Sequence, residues 1–180
     1  RKLYPEYYAK LGCPIPREFS FPKNNSVELA EFIGILLGDG CIQPQQVSIT
    51  LNTVADKDYI EYVTNQIHKL FNYSPTVHQR WPTKATTILI SGINFTDNLT
   101  KLGMKIGDKV KQQVAVPGWI TKSRKLSRWC LRGLMDTDGG IFTHNYVIKG
   151  NKYSYLKINF SNRSQPLRKF THNTLKHLGL

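Results

Sequence analysis

Long apolar runs are missing from this 180-residue chain. No stretch of about 18 uncharged apolar residues occurs, so no helix is expected to cross a membrane. Arg1-Lys2-Leu3-Tyr4-Pro5 has no apolar segment behind it, so no signal peptide is expected. Cysteine is scarce: Cys13, Cys41 and Cys130 are odd in number, far apart and without a CxxC pair. That argues against a disulfide framework and a structural zinc site, and fits a reducing, intracellular compartment. His172 and His177 are five apart, off the four-residue spacing that aligns two ligands on a helix face, and read as surface residues. Acidic residues are the other shortage, with 12 Asp/Glu against 25 Lys/Arg and a formal net charge of +13.

That imbalance points to a polyanionic partner, and its distribution is uneven. Residues 1–25 carry a net +3 and residues 26–120 a net of zero. Residues 121–180 carry twelve Lys/Arg against two Asp/Glu, a net of +10. A solvated basic face and a nucleic-acid surface both fit such an excess.

What is present is a repeat. Phe32-Ile33-Gly34-Ile35-Leu36-Leu37-Gly38-Asp39-Gly40 resembles Leu131-Arg132-Gly133-Leu134-Met135-Asp136-Thr137-Asp138-Gly139 at an offset of 99. Each segment ends an apolar pattern of helical period: Leu29, Phe32, Ile33, Leu36 and Leu37 in the first; Leu126, Trp129, Cys130, Leu131 and Leu134 in the second. Ser26 is the expected N-cap of the first helix. Gly40 and Gly139 are expected as C-caps. Strands follow. Val47, Ile49 and Leu51 alternate with polar residues, as do Leu156, Ile158 and Phe160 at an offset of 109, so both read as half-buried. The shift in offset puts about ten extra residues in the second hairpin, around His144 to Tyr153. Helices are expected next, with stripes Ile60, Val63, Ile67, Leu70 and Leu167, Phe170, Thr174, Leu178. In the first copy a hairpin around Pro82-Thr83-Lys84 and a helix over Asn94 to Leu102 complete the unit, and Lys105 to Gly118 reads as a basic linker.

Small residues at four-residue spacing, Ala30, Gly34 and Gly38 against Gly133 and Thr137, would let two helix backbones meet closely. Packed that way, Asp39 and Asp138 emerge side by side. Two adjacent carboxylates repel unless a divalent cation neutralises them. Oxygen-only ligation with open water positions suits Mg²⁺, which can generate a hydroxide and stabilise a leaving oxygen of a phosphodiester.

The paired motifs resemble those of the LAGLIDADG homing endonuclease family, over roughly Ser26 to Leu180. The resemblance implies an α+β fold of two pseudo-symmetric αββαββα repeats, whose motif helices form the interface at Gly34 and Gly133. It implies antiparallel sheets forming a saddle in the major groove of double-stranded DNA. The units would then be an N-terminal arm (1–25), a first repeat (26–104), a linker (105–120) and a second repeat (121–180) that lacks its second hairpin and last helix. A truncated second copy, or another chain supplying the rest, is the expectation. Asp39 and Asp138 would bind two or three Mg²⁺ ions, with Mn²⁺ or Ca²⁺ as structural substitutes, beside the backbone carbonyls of Gly38 and Thr137. Lys109 and Lys111 would lie near the scissile phosphates. Leu37, where the second copy has Asp136, is read as facing away from the metal.

On that resemblance the polar strand residues read bases. They are Gln43, Gln45, Gln46, Ser48, Thr50 and Asn52, joined by His78 and Arg80, with Lys149, Lys152, Lys157 and Asn159 in the second copy. The expected activity is site-specific double-strand cleavage by a monomer on a long pseudo-palindromic target. A non-cleaving DNA-binding regulator, an RNA-splicing maturase and an endonuclease domain within an intein stay open as alternatives. No splicing-junction residues with flanking blocks are visible.

Overall fold

The computed structural model describes residues 19–180, so Cys13 and most of the expected N-terminal arm lie outside the described residues. Helix α1 (Val27–Gly38) begins at Ser26, whose Oγ accepts the Leu29 N–H at 3.1 Å. Leu29 through Leu37 are all buried, the signature of a helix covered on every side. A sheet and two helices follow it: β1 (Gly40–Gln43), β2 (Gln46–Asn52), α2 (Lys57–Phe71), β3 (Thr76–Arg80), β4 (Ala85–Ser91) and α3 (Ile93–Lys101). The four strands pair antiparallel in the order β1-β2-β4-β3. Val47, Ile49 and Leu51 point into the core with Ile88 and Ile90, because a period of two puts alternate residues on one face.

The core is aromatic at its centre. Phe71 is fully buried, with ring centroids 4.9 Å from Phe21, 5.1 Å from Phe32 and 4.9 Å from Phe95. Emptying such a site commonly costs about 3–5 kcal/mol. The described end of the expected arm belongs to this cluster. Phe19 and Phe21 pack on Phe95, and the Ser20 N–H donates to the Phe71 carbonyl at 3.0 Å. Residues 105–120 also pack: Val114, Val116 and Ile120 are buried, and the Val114 carbonyl accepts the Ser164 hydroxyl at 2.6 Å. The expected linker is therefore partly core, a role its Lys, Gly and Pro content disguises.

The second unit comprises the short α4 (Gly118–Thr121), α5 (Arg124–Asp138), β5 (Gly139–Ile148), β6 (Asn151–Phe160) and α6 (Gln165–Leu178). Ser123 and Ser164 cap α5 and α6, accepting the N–H three residues on. The extra hairpin residues extend both strands to ten residues each, against four and seven in β1 and β2. They close through Lys149 and Gly150, both at positive φ as a tight hairpin turn needs. Two expectations fail here. Strand β6 is not half-buried: Leu156 is 66% and Ile158 39% exposed. Alternation tells which residues share a face, and no described element covers this one. Gly40 is not the C-cap of α1, a place that Asp39 takes, whereas Gly139 does cap α5, in extended rather than left-handed backbone, its N–H donating to the Met135 carbonyl. A Cβ on Gly40 would lie 2.6 Å from Leu36 Cα, and one on Gly139 2.8 Å from Met135 Cα. They are glycines because the chain folds back hard over each helix end.

Candidate functional site

Helices α1 and α5 meet backbone to backbone. A Cβ on Gly34 would collide with the Cys130 carbonyl oxygen and sit 3.1 Å from the Leu134 nitrogen. A Cβ on Gly133 would collide with the Glu31 carbonyl oxygen and lie 2.8 Å from the Ile35 nitrogen. Four residues further along, the same contact brings Gly38 to Thr137 and leaves a Gly38 Cβ position only 3.4 Å from Asp138 Oδ2. The Thr137 hydroxyl turns back to the Gly133 and Leu134 carbonyls at 3.0 and 3.1 Å. Both motif aspartates therefore leave the same end of the helix pair.

Their environment is electrostatically loaded. The Asp39 carboxyl is pushed up to about 6, first by burial and then by the neighbouring Asp138 carboxylate, with Lys109 pulling the other way. Lys109 Nζ donates to the carbonyls of Leu36 at 3.4 Å, Leu37 at 3.0 Å and Gly38. Its three donors are thereby matched at the C-terminus of α1, where carbonyls are otherwise orphaned. Burial lowers its pKa, while Asp138 and Asp39 oppose that fall. Asp108 sets up this geometry by accepting the backbone N–H groups of Val110 and Lys111 at 2.8 and 3.0 Å. Lys111 is exposed and does not line the cleft at Lys109 and Asp138, so the two lysines are separated.

Two residues that sequence reasoning missed complete the cleft, a space of about 370 Å³ bounded by Gly38, Lys109, Asp138, Asn162 and Arg163. Asn162 Nδ2 donates to Asp138 Oδ2 at 2.6 Å, and its Oδ1 accepts the Ser164 N–H at 2.7 Å. An Asn-Arg-Ser run after a strand reads as an ordinary turn, so nothing local flagged it. The site is consequently asymmetric: Lys109 attends the α1 end and Asn162 holds Asp138. Asp136 turns away to Arg132, at 3.9 Å.

The donor set is two carboxylates, with the Gly38 carbonyl already engaged by Lys109. Among the described residues no group of three or more His, Cys, Asp or Glu forms a metal cluster. Asp138 lines the open cleft, and Asp39 does not line it but follows Gly38, which does. Hard oxygen ligands of this kind fit a cation such as Mg²⁺, which binds through one or two carboxylates and completes its shell with waters and phosphate.

An ion pair between a buried carboxylate and a half-exposed guanidinium spans the interface, and it too escaped sequence reasoning. Glu31 of α1 is 1% exposed and lies 3.3 Å from Arg132 Nε of α5. Its carboxylate also accepts the Tyr62 hydroxyl at 2.8 Å and Gln66 Nε2 at 3.3 Å. The Arg132 guanidinium lies over the rings of Tyr62 and Trp129, 5.5 and 5.4 Å from their centroids.

Strand register sorts the remaining candidates. Rows Gln43–Gln46, Ser48–Leu89–Thr76, Thr50–Thr87–His78 and Asn52–Ala85–Arg80 share one face of the first sheet. Gln46 Nε2 donates to Gln43 Oε1 at 2.7 Å, and Gln45 is exposed in the turn between them. Asn52 departs from expectation. Its Oδ1 accepts the N–H groups of Val54 and Ala55 at 2.9 and 3.0 Å, so its acceptor is spent on a turn. In the second sheet Lys157 and Asn159 share a face, with Lys149 at the hairpin tip. Lys152 departs as well: it pairs with Val147 on the opposite face, an odd number of residues from Lys157.

No protein-family model matches the chain. It is 27% identical over 183 aligned positions to the tRNA-splicing ligase RtcB of Methanopyrus kandleri, covering 91% of this chain and 18% of that protein. It is 28% identical over 134 positions to the replication factor C small subunit of Methanocaldococcus jannaschii, covering 74% of this chain and 7% of that protein. The chain thus spans less than a fifth of either relative's length. Among solved structures it is similar to mesophilic variants of the homing endonuclease I-DmoI, with TM-score 0.48 and 10% identity over 85% of this chain and 77% of that one. It is also similar to I-DmoI in complex with DNA and Mn, with TM-score 0.45 and 11% identity over 87% and 80%.

Proposed function

We propose that this chain is a double-strand DNA endonuclease of the LAGLIDADG type, hydrolysing phosphodiesters with divalent cations held at Asp39 and Asp138. The supporting observation is the pair of carboxylates, one from each motif copy, at the shared end of two glycine-packed helices. A purely structural pair of helices gains nothing from two neighbouring acids, because their mutual repulsion, which Lys109 only partly offsets, costs stability. A bound divalent cation supplies the charge that activates water and stabilises the leaving oxygen. The rest is done by the protein. Asn162 fixes the orientation of Asp138 through its 2.6 Å bond. Lys109 balances the two acids and sits in the cleft where a phosphate oxygen would approach. Arg163, exposed and lining the same cleft, offers a forked donor to that phosphate. The polar face of the first sheet reads base edges while the basic second unit holds the backbone.

The same stretch resembles small parts of two differently named proteins, which supports a segment carried within longer chains rather than either relative's own activity. Incubation with Mg²⁺ or Mn²⁺ and a randomised duplex library, followed by sequencing of cut ends, tests the proposal. Recurrent cuts at one site support it. A protein that binds duplex and leaves it intact with either ion is a regulator instead. Cleavage or splicing of an RNA substrate in a parallel incubation points to maturase function.

A further inference from the structure

Hairpin β5–β6 carries a row of rings that phosphodiester hydrolysis does not use. Register sets His144 opposite Tyr155 and Tyr146 opposite Tyr153 on one face. Tyr146 and Tyr153 lie face to face, centroids 5.1 Å apart and planes 14° from parallel. Tyr155 meets Tyr146 edge-on at 5.6 Å, and His144 lies 5.7 Å from Tyr146 and 5.2 Å from Tyr155. Lys157, next along this face, holds Nζ 5.2 Å above the Tyr155 ring. Tyr153 and Tyr155 are each 44% exposed.

One cross-strand aromatic pair is explained by hairpin stability. A four-ring ladder beside a lysine, in the segment that carries twelve Lys/Arg against two Asp/Glu, asks for more. Rings with an adjacent cation stack unpaired bases while the cation follows the phosphates. Duplex DNA hides base faces in its own stack and offers only edges. The two sheets therefore differ in kind: amides and hydroxyls suited to edges on the first, rings suited to faces on the second. We propose that the β5–β6 face binds unpaired bases of a nucleic-acid strand by stacking on Tyr146, Tyr153, Tyr155 and His144, with Lys157 on a phosphate. This rests on the reading that the protein binds nucleic acid.

The test uses the full chain with a short single-stranded DNA carrying 2-aminopurine, the same sequence as RNA, and the blunt duplex. Binding of either single strand by the wild type should quench the 2-aminopurine, a readout that needs no variant. Tyr146→Thr and Tyr153→Thr keep strand propensity and delete a ring. Each should weaken single-strand affinity about 5- to 150-fold. Tyr153→Phe, which keeps the ring, and Leu156→Thr, on the opposite face, should leave it unchanged, with circular dichroism confirming the fold. Tighter binding of RNA would identify a 2′-hydroxyl-bearing strand as the source, and equal or tighter binding of DNA a displaced DNA strand; both support the platform. An unquenched wild-type complex, or ring-deleted variants that bind single strands as well as wild type, overturns it. If duplex is still bound and cut in that case, only this inference falls. If no nucleic acid is bound at all, the endonuclease proposal falls with it.

Discussion

Gly34→Ala is the most demanding small perturbation of the helix interface. The added methyl must occupy space held by the Cys130 carbonyl oxygen, its carbon at 3.1 Å and the Leu134 nitrogen at 3.1 Å. These are backbone atoms of an opposing helix, so no rotamer change relieves the clash, and α1 and α5 must separate. Separation also stretches the 3.3 Å Glu31–Arg132 contact and loosens the Gly38–Thr137 contact beside the acids. Because the opposing atoms are backbone and cannot rotate away, the upper part of the overpacking range applies, about 2–3 kcal/mol. Alanine's better helix propensity returns about 1 kcal/mol. The net expectation is a loss of about 1–2 kcal/mol, which for a chain this size lowers Tm by roughly 2–8 °C. Gly133→Ala should behave alike, since its Cβ meets the Glu31 carbonyl and the Ile35 nitrogen at 2.8 Å. Gly118→Ala is the control: nothing lies within 4 Å of its Cβ position, so it should be neutral or slightly stabilising. Thermal melts of the three variants decide the matter. If Gly34→Ala and Gly133→Ala melt at or above wild type alongside Gly118→Ala, the helices do not meet as described.

Three further outcomes follow from the geometry. Asp39, raised to about 6 from an ordinary 3.8, contributes stability to the metal-free protein that is complete below about pH 4 and lost as pH rises through about 6. About two pKa units set a ceiling near 3 kcal/mol, reduced to about 1–2 by solvent screening. Because a cation requires the ionised acid, the rise in Tm on adding Mn²⁺ should grow from pH 5 to pH 7, and a rise equal at both pH values would contradict this. Arg132→Met leaves the Glu31 carboxyl, already raised by burial, without its counter-ion; with Arg132 half exposed, the cost should be about 1–3 kcal/mol in denaturant melts, larger than for Glu31→Gln. Lys157→Gln should flatten the slope of log affinity against log salt by about 0.9 if that lysine meets phosphate, whereas Lys152→Gln, on the other face, should change it less. Equal effects would return the two lysines to one surface.

Much of the fold was legible because the chain says it twice. The duplicated Gly-xxxx-Asp-Gly segments and their helical periodicity marked α1 and α5, and alternation in Val47, Ile49 and Leu51 marked the first sheet and its inner face. Lys109 was reachable as a basic residue near the acids, although its cage of three carbonyls was not. Exposure of Leu156 and Ile158 was illegible because alternation is silent about whether anything covers a face. Lys152 shows the related error of grouping charges by sequence proximity when a period of two separates them. Glu31 and Asn162 had no pattern to announce them: each acquires its role from a partner, Arg132 or Asp138, that only the folded chain brings near.

The central claim is that Asp39 and Asp138 act as one metal-dependent centre, and the most direct measurement is cleavage of a bound duplex by their asparagine variants. Asp39→Asn and Asp138→Asn should each retain duplex affinity, which phosphate contacts supply, and should each lose double-strand cleavage with Mg²⁺ or Mn²⁺. If wild type cuts and either variant cuts both strands at the wild-type rate, that acid does not belong to the active centre and the account is contradicted.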